Sequence, residues 1–179
     1  MAHVEKTVES TVIYDGKILR LLKDKAEVQS GHIVGREVVV HPGGVGIVPL
    51  DDEGNVYMVR QFRYPLMGEL LEIPAGKLEY GEDPYECAVR ELKEETGFEA
   101  EEFISLGSLY PSPGYCRETL YVYLARGLKA GEMHLDEDEF LDVEKYPLAE
   151  LSDMVMRGEL RDAKTVIGIL KTLKYLESL

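Results

Sequence analysis

The sequence predicts an α/β protein in which helices cover both faces of a mixed sheet, preceded by a small N-terminal β-meander. Short runs rich in β-branched and aromatic residues alternate with three segments of helical spacing. Turn-forming residues such as Asp15-Gly16 separate the first runs from one another. Of the 179 residues, 45% are apolar, which is enough to fill the core of an ordinary globular domain.

The first forty residues are interpreted as three strands joined by turns. Strand-forming residues fall into runs at residues 7–14, 17–28 and 33–42. A meander of this size buries little apolar surface, so we expect it to pack against a partner. We therefore divide the chain into a meander, residues 1–40, and a main domain, residues 41–179.

The main domain is predicted to contain most of the strands. It begins with residues 41–44, HPGG, which lack the lysine and the following helix of a phosphate-binding loop and are interpreted as a turn or bulge. Apolar runs at residues 45–50 and 56–65 flank the turn DDEGN and predict a second hairpin. Further strands are predicted at residues 70–76, 103–110, 118–128 and 140–147.

Residues 84–96 predict the first helix, because the sequence marks both its start and its end. Asp83 is placed to cap the N-terminus, Pro84 suits the first helical position, and Glu86 completes a capping box. Gly97 suits the end, since glycine readily adopts the left-handed conformation that ends many helices. The apolar residues form one stripe that can seat the helix on a sheet: Tyr85, Ala88, Val89 and Leu92.

Two further helices are predicted near the end of the chain. One opens at Pro147 and continues to about Arg157, and the other spans residues 162–177. The apolar residues of the last helix recur at helical spacing and predict a core or interface face: Val166, Ile169, Leu170, Leu173 and Leu176.

Charge and cysteine content exclude several classes of protein. The formal net charge of −14 argues against a broad nucleic-acid surface, which needs clustered Lys and Arg. Cys87 and Cys116 are too few for a disulfide framework or a four-cysteine zinc site, so we expect reduced thiols. No run approaches the ~18 apolar residues of a membrane span, and MAHVEKTVES holds no apolar signal segment. We expect a cytoplasmic protein that does not contact a membrane.

The first helix carries the residues that predict chemistry. At about 100° per residue, Glu91 and Glu95 lie on one helical face, and Glu94 flanks them. Carboxylates clustered beside a core face repel one another unless cations neutralise them, and oxygen ligands suit Mg²⁺ or Mn²⁺. Arg90 is placed to pair with one carboxylate and fix its orientation. The alternative interpretation is a solvated, glutamate-rich helix that binds no metal.

The segment 76–98, GKLEYGEDPYECAVRELKEETGF, resembles the signature of the Nudix hydrolases at every fixed position. The resemblance implies a Nudix-type α/β/α sandwich and metal-dependent hydrolysis of a diphosphate bond in a nucleoside-diphosphate compound. The core of the resemblance extends over about residues 40–150. The matching residues of the signature are Gly76, Glu82, Arg90, Glu91, Leu92, Glu94, Glu95, Gly97 and Phe98.

The resemblance also implies roles for individual residues. Glu91 and Glu95 are the expected principal ligands of Mg²⁺, with Mn²⁺ as the alternative ion, and Glu94 assists them. The backbone carbonyl of Ala75 is expected to complete the ligand set. Arg90 and Glu94 are grouped with the catalytic residues.

Within that family, the chain is most similar to the ADP-ribose pyrophosphatase branch, whose members release AMP and ribose 5-phosphate. Pro113 lies in a turn beyond the signature, and the stretch VRQFRYP precedes the signature, as in that branch. The N-terminal meander is similar to the part through which the branch forms a domain-swapped homodimer. The resemblance therefore implies a homodimer that hydrolyses ADP-ribose.

A base and two arginines outside the signature are expected to act on the attacking water and on the substrate. The base is expected in the acidic loop after the last long strand, with Glu139 as the first choice and Glu137 as the second. Arg63 is placed to pair with a phosphate, and Arg36 lies where the branch makes adenosine contacts. The alternatives are a solvated loop for the acidic residues and surface ion pairs for the two arginines.

Other functions stay open at this point. One is a pyrophosphatase for another nucleoside-diphosphate sugar, such as GDP-mannose. From a different class, the chain is alternatively a catalytically silent ligand sensor, although the intact glutamates argue against that. An NADH-cleaving type usually carries a zinc ribbon, which two isolated cysteines cannot build.

Overall fold

The computed structural model describes residues 3–135 and 140–179 of the chain. Within it, backbone contacts group the residues into two compact units, and each unit combines two separate stretches of sequence. The stretches are Met1–Gly43 with Tyr110–Thr119 in the first unit, and Gly44–Leu109 with Leu120–Leu179 in the second.

The first unit contains the predicted meander. Its strands are β1 (Lys6–Asp15), β2 (Arg20–Glu27) and β3 (Ile33–Val40). They pair antiparallel in the order β1-β2-β3, and the amide of Gly16 donates to the carbonyl of Leu19 to close the first turn. The antiparallel meander that the sequence predicts is therefore confirmed.

The segment Tyr110–Thr119 also belongs to the first unit, which the sequence did not predict. The amide of Val39 donates to the carbonyl of Tyr115 at 2.8 Å, and the amide of Arg117 donates to the carbonyl of Val39 at 2.8 Å. These bonds form an isolated parallel bridge between Val39 and Cys116. A contact between residues so far apart in the chain leaves no local pattern in the sequence.

The second unit contains two sheets. Its strands are β4 (Gly44–Pro49), β5 (Asn55–Arg63), β6 (Gly68–Glu72), β7 (Ala75–Lys77), β8 (Phe98–Leu109), β9 (Leu120–Ala130) and β10 (Leu141–Pro147). One sheet has the order β7-β4-β9-β8, in which β4 and β9 are parallel and the other pairs are antiparallel. The other sheet has the order β10-β5-β6 and is antiparallel. The predicted mixed sheet is confirmed.

The predicted hairpin between residues 45–50 and 56–65 is wrong. The two strands β4 and β5 lie in different sheets and share only an isolated bridge between Leu50 and Val56. The reason is that both edges of β4 are already hydrogen-bonded, one to β7 and the other to β9. The turn that follows β4 therefore carries the chain from one sheet to the other.

Helices pack on both faces of the sheet that contains β4. The helices of this unit are α1 (Pro84–Thr96), α2 (Leu148–Met156) and α3 (Ala163–Leu176). All of β4 is buried, and its side chains alternate between two core clusters. Ile47 packs with Leu92 of α1, while Val48 packs with Ile169 of α3. This layering confirms the predicted sandwich.

The buried face of α3 is more polar than its apolar stripe predicts. Ile169 is fully buried, but Leu170 is 39% exposed. Two buried polar residues, Lys164 and Thr165, lie in the first turn of the helix instead.

Along residues 3–135 and 140–179, no helix is both long and apolar enough to cross a membrane.

Candidate active site

The helix α1 begins and ends where its capping residues require. The carboxylate of Asp83 accepts a hydrogen bond from the amide of Tyr85 at 2.8 Å, and Gly97 ends the helix with a φ of 72°. Ala88 and Leu92 are buried as predicted, but Val89 is exposed. Cys87 is the residue that completes the buried face, which is therefore rotated away from the predicted stripe.

Arg90 joins three carboxylates at the surface of α1. Its guanidinium donates to Glu82 at 3.1 Å, to Glu91 at 2.7 Å and to Glu94 at 2.9 Å. Burial opposes the charge of Arg90, but Glu82 and Glu91 outweigh it and raise the pKa of the guanidinium. The predicted pairing of Arg90 with a carboxylate is confirmed, and it extends to a residue of the preceding loop.

Glu91 also lies against the strand β7. A β-carbon placed on Gly76 would be 1.8 Å from the carboxyl carbon of Glu91, far inside van der Waals contact. The absence of a side chain at residue 76 therefore makes room for the Glu91 carboxylate. This contact and the bond to Arg90 fix Glu91 between the helix and the strand.

Glu95 is held one turn further along the helix. Its side chain is almost completely buried, and its Oε2 accepts a hydrogen bond from the amide of Ala75 at 2.8 Å. Two adjacent backbone positions on β7 therefore meet two glutamates of α1, because Gly76 contacts Glu91 and Ala75 bonds Glu95.

Glu72 is the centre of a second, buried ion network. Glu72, at the end of β6, is 1% exposed and accepts hydrogen bonds from Arg63 at 2.8 and 2.7 Å. Lys164 of α3 bonds the same carboxylate. Burial alone raises the pKa of Glu72, but the hydrogen bonds from Arg63 and the charge of Lys164 outweigh it and bring the pKa to about 2.

Comparison with known proteins identifies the family. Residues 40–167 match the family described as NUDIX domain, a match that contains the whole helix α1 and the glycine at residue 76. The chain belongs to the Nudix family. The glutamates that meet Ala75 and Gly76 are therefore those of the Nudix signature.

Two curated Nudix relatives are each 42% identical to this chain over 167 residues, which is 92% of this chain and 90% of theirs. One is a methanol dehydrogenase activator of Bacillus methanolicus, and the other is an ADP-ribose pyrophosphatase of Bacillus subtilis (strain 168). A crystal structure of an ADP compounds hydrolase has a TM-score of 0.86 and 24% identity, and the match covers 97% of this chain and 95% of that one. That similarity shows the shared fold.

The oxygen atoms around Gly76 fit a hard divalent cation such as Mg²⁺ or Mn²⁺. The side-chain donors are the carboxylates of Glu91, Glu94 and Glu95, and these ions prefer oxygen over nitrogen or sulfur ligands. Within the described parts of the chain, no three Asp, Glu, His or Cys side chains already form a closed cluster around one point. Glu91 and Glu94 instead accept hydrogen bonds from Arg90, and Glu95 accepts one from the Ala75 amide. A cation therefore competes with these bonds for the carboxylate oxygens.

The other predicted site residues are distant in sequence from the glutamates of α1. Arg36 pairs with Glu5 in the first unit, through bonds of 2.9 and 2.7 Å, and both side chains are exposed. Arg63 pairs with Glu72, so each arginine has an ion partner in the protein itself. Glu137 and Glu139 lie outside the described residues.

Sequence reasoning did not single out Glu72 or Lys164, and it gave the Cys87 side chain no place in the fold. Glu72 and Lys164 are separated by 92 residues, and a single lysine in the first turn of a helix gives no signal of an ion pair. Cys87 was expected to be a reduced thiol, and it is fully buried. Burial raises the pKa of the Cys87 thiol to about 12, and the side chain packs in the core beneath α1.

Proposed function

We propose that this Nudix hydrolase cleaves the diphosphate of ADP-ribose to AMP and ribose 5-phosphate, with Mg²⁺ as its cation and Mn²⁺ as the alternative. The observation that carries the proposal is the placement of the Nudix glutamates on α1. Glu91 fills the space at Gly76 and shares Arg90 with Glu94, and Glu95 bonds the adjacent Ala75 amide. The identity of 42% to an ADP-ribose pyrophosphatase over 92% of the chain favours this substrate over other diphosphates.

Glu91 and Glu95 hold the cation, with Glu94 and the carbonyl of Ala75 as further ligands. A bound cation supplies charge neutralisation on the diphosphate and makes the attacking water more acidic. Arg90 belongs to the catalytic group with Glu94, because its bonds to Glu91 and Glu94 keep their carboxylates at fixed positions on α1.

Glu139 takes the proton from the attacking water, and Glu137 is the second choice. The support comes from the sequence, since the acidic run DEDE lies directly before Phe140 and the strand β10. The glutamates of α1 already bond Arg90 and the Ala75 amide, which favours a base outside the helix. A carboxylate in this loop needs only to orient the water and accept one proton.

The two arginines bind the substrate. Arg63 contacts a phosphate. Its hydrogen bonds to Glu72 raise the pKa of Arg63, and the charge of Glu95 adds to this, so the guanidinium lies near one of the proposed metal ligands. Arg36 contacts the adenosine. To bind the substrate, Arg63 must release the carboxylate of Glu72, and Arg36 must release that of Glu5.

The protein works as a homodimer in the cytoplasm. Residues 1–40 form the dimerisation part, which also contributes substrate contacts, and residues 41–179 form the Nudix hydrolase domain. The dimer is supported by β1, in which all ten residues are exposed, apolar Val8, Val12 and Ile13 among them. The two free cysteines are consistent with a reducing compartment.

A panel of substrates tests the proposed function. ADP-ribose, GDP-mannose and NADH are assayed with Mg²⁺ and with Mn²⁺, and the nucleoside monophosphate that each substrate releases is measured, with ribose 5-phosphate as the second product of ADP-ribose. We expect the highest kcat/KM for ADP-ribose. A higher value for GDP-mannose would assign the enzyme to another nucleoside-diphosphate sugar.

A regulatory role is the second candidate, and one observation favours it. The chain is as similar to a methanol dehydrogenase activator as it is to an ADP-ribose pyrophosphatase, at 42% identity in both cases. A silent sensor or activator binds a nucleotide without turnover. Binding of ADP-ribose in the presence of Mg²⁺ without release of AMP would support this candidate and contradict the hydrolase.

A further inference from the structure

The carboxylate of Glu72 has two cationic partners that differ in their access to solvent. Arg63 bonds both oxygens of the carboxylate from the side facing solvent, and its side chain is 37% exposed. Lys164 bonds Oε2 from within the core, and its side chain is only 10% exposed. Arg63 is therefore the partner that can turn into solvent, while Lys164 is enclosed by the core and bonded to a second carboxylate.

Lys164 is itself held in place by the start of α3. Its Nζ lies 3.0 Å from a carboxylate oxygen of Asp162, which caps the helix by accepting from the amide of Thr165. The hydroxyl of Thr165 accepts a bond from the amide of Ile73, the residue after Glu72. The ammonium group thus stays beside Glu72 whatever Arg63 does.

The cost of moving Arg63 depends on this second cation. A buried carboxylate that loses its sole partner is left as an uncompensated charge, which is strongly unfavourable. With Lys164 beside it, Glu72 keeps one bonded cation after Arg63 has turned away. The guanidinium then becomes free to bond phosphate oxygens, for which its planar donors are well suited.

We infer that Lys164 is a positioning residue, which holds the carboxylate of Glu72 when Arg63 exchanges it for the diphosphate of the substrate. The inference rests on the proposed function, since it takes the diphosphate as the ligand of Arg63. Lys164 does not touch the substrate, and it acts only by setting how tightly Glu72 retains Arg63.

Two measurements on Lys164→Met test the inference. With ADP-ribose and Mg²⁺, KM rises by about tenfold or more while kcat changes little, because the couplings within one ion network are of this size. In the free protein, NMR of the Arg63 guanidinium, assigned with Arg63→Lys, shows slower rotation because Glu72 holds it more tightly. The second measurement needs no substrate, so it tests the exchange even if ADP-ribose is not hydrolysed at all.

Matched variants separate positioning from a loss of packing. Lys164→Arg keeps the charge and preserves KM, and Glu72→Gln added to Lys164→Met restores KM by removing the carboxylate that retains Arg63. Lys174→Met, an exposed lysine of the same helix, changes neither quantity. If the doubly substituted protein folds and KM stays high, or if rotation and KM in Lys164→Met equal those of the wild type, the inference is wrong.

If Lys164→Met fails to fold, Glu72→Gln alone tests whether the Glu72 carboxylate retains Arg63. An amide holds a guanidinium less tightly than a carboxylate does, so the rotation of Arg63 becomes faster than in the wild type. Unchanged rotation in folded Glu72→Gln overturns the inference, because Glu72 then does not retain Arg63.

Discussion

The carboxylate of Glu91 occupies the space that a side chain on residue 76 would need. A β-carbon on Gly76 would lie 1.8 Å from both the carboxyl carbon and Oε1 of Glu91. Glycine is required here by this close approach, since its φ is not in the left-handed region. The first glycine of the Nudix signature is therefore in close contact with Glu91, one of the proposed metal ligands.

Gly76→Ala is expected to displace Glu91 and to remove most of the activity. Only the end of the flexible Glu91 side chain has to move, so we expect a small change in stability beside the loss of activity. Both kcat/KM and the midpoint of chemical denaturation are measured. Gly114→Ala is the matched control, because a β-carbon at residue 114 meets no atom within 4 Å. Wild-type turnover in Gly76→Ala would show that the position of Glu91 is unimportant.

Glu95→Gln is expected to keep the fold and lose most activity. The amide oxygen of glutamine still accepts the hydrogen bond from Ala75, so the contact between α1 and β7 survives. An amide is, however, a weaker ligand than a carboxylate for a hard cation. The activity is measured over a range of Mg²⁺ concentrations, with Glu86→Gln, an exposed residue of the same helix, as the control. Near-normal Mg²⁺-dependent turnover in folded Glu95→Gln would contradict the assignment of Glu95 as a metal ligand.

Acid is expected to destabilise the protein partly through Glu72. The pKa of this carboxyl is about 2 in the folded chain, below its ordinary value of 4.5. A carboxyl whose pKa is lowered by folding stabilises the fold above its ordinary pKa, and this contribution is lost as the pH falls toward the folded value. The free energy of unfolding should therefore fall less steeply below pH 4.5 in Glu72→Gln than in the wild type.

Denaturant titrations at a series of pH values measure this slope. Glu69→Gln is the control, since Glu69 is an exposed residue on the same strand and should leave the slope as in the wild type. An identical slope in Glu72→Gln and the wild type would mean that Glu72 is not held ionised by Arg63 and Lys164.

The sequence predicted those parts of the fold that local chemistry determines. Asp83, Pro84 and Gly97 set the limits of α1 through bonds within a few residues, so the helix was predicted with the bounds that it has. The strand β4 was assigned the wrong neighbour because its parallel partner β9 begins at Leu120. No turn connects such strands, and the choice between partners is made by the sheet as a whole.

The residues of the candidate site were also predicted only where local spacing determines their position. Glu91, Glu94 and Glu95 share one turn of α1, so spacing alone brought them together in the prediction. The pairing of Glu72 with Lys164 depends on how α3 packs against β4 and β9, which the apolar stripe of the helix did not indicate. Such a long-range ion pair depends on how the elements pack, and the residue patterns of β6 and α3 do not indicate that these two segments meet.

The first unit is expected to hold two copies of the chain together. The ten exposed residues of β1 include Val8 and Val12, apolar side chains that we expect a second copy to cover. Light scattering at micromolar concentration should give twice the chain mass of 20.2 kDa. Val12→Lys should weaken the dimer, and Thr11→Lys, on the opposite side of the strand, serves as the control. A fully active monomer would refute the dimer.

Glu139→Gln is expected to lower kcat by about 10²–10⁴-fold, the usual contribution of a positioned base. Metal affinity and KM should stay near their wild-type values, because the residue is proposed to contact the attacking water and not the cation or the phosphates. Glu137→Gln should have a much smaller effect and is the matched control within the same acidic run. Both variants are measured with ADP-ribose at saturating Mg²⁺.

The pattern of the two effects identifies the base. If Glu137→Gln costs more than Glu139→Gln, the loop is correct and the base is Glu137. If neither variant loses more than a few-fold in kcat, the base lies elsewhere. The signature glutamates would then be the first residues to test, beginning with Glu94, because it is the most exposed partner of Arg90 and the one best placed to reach water.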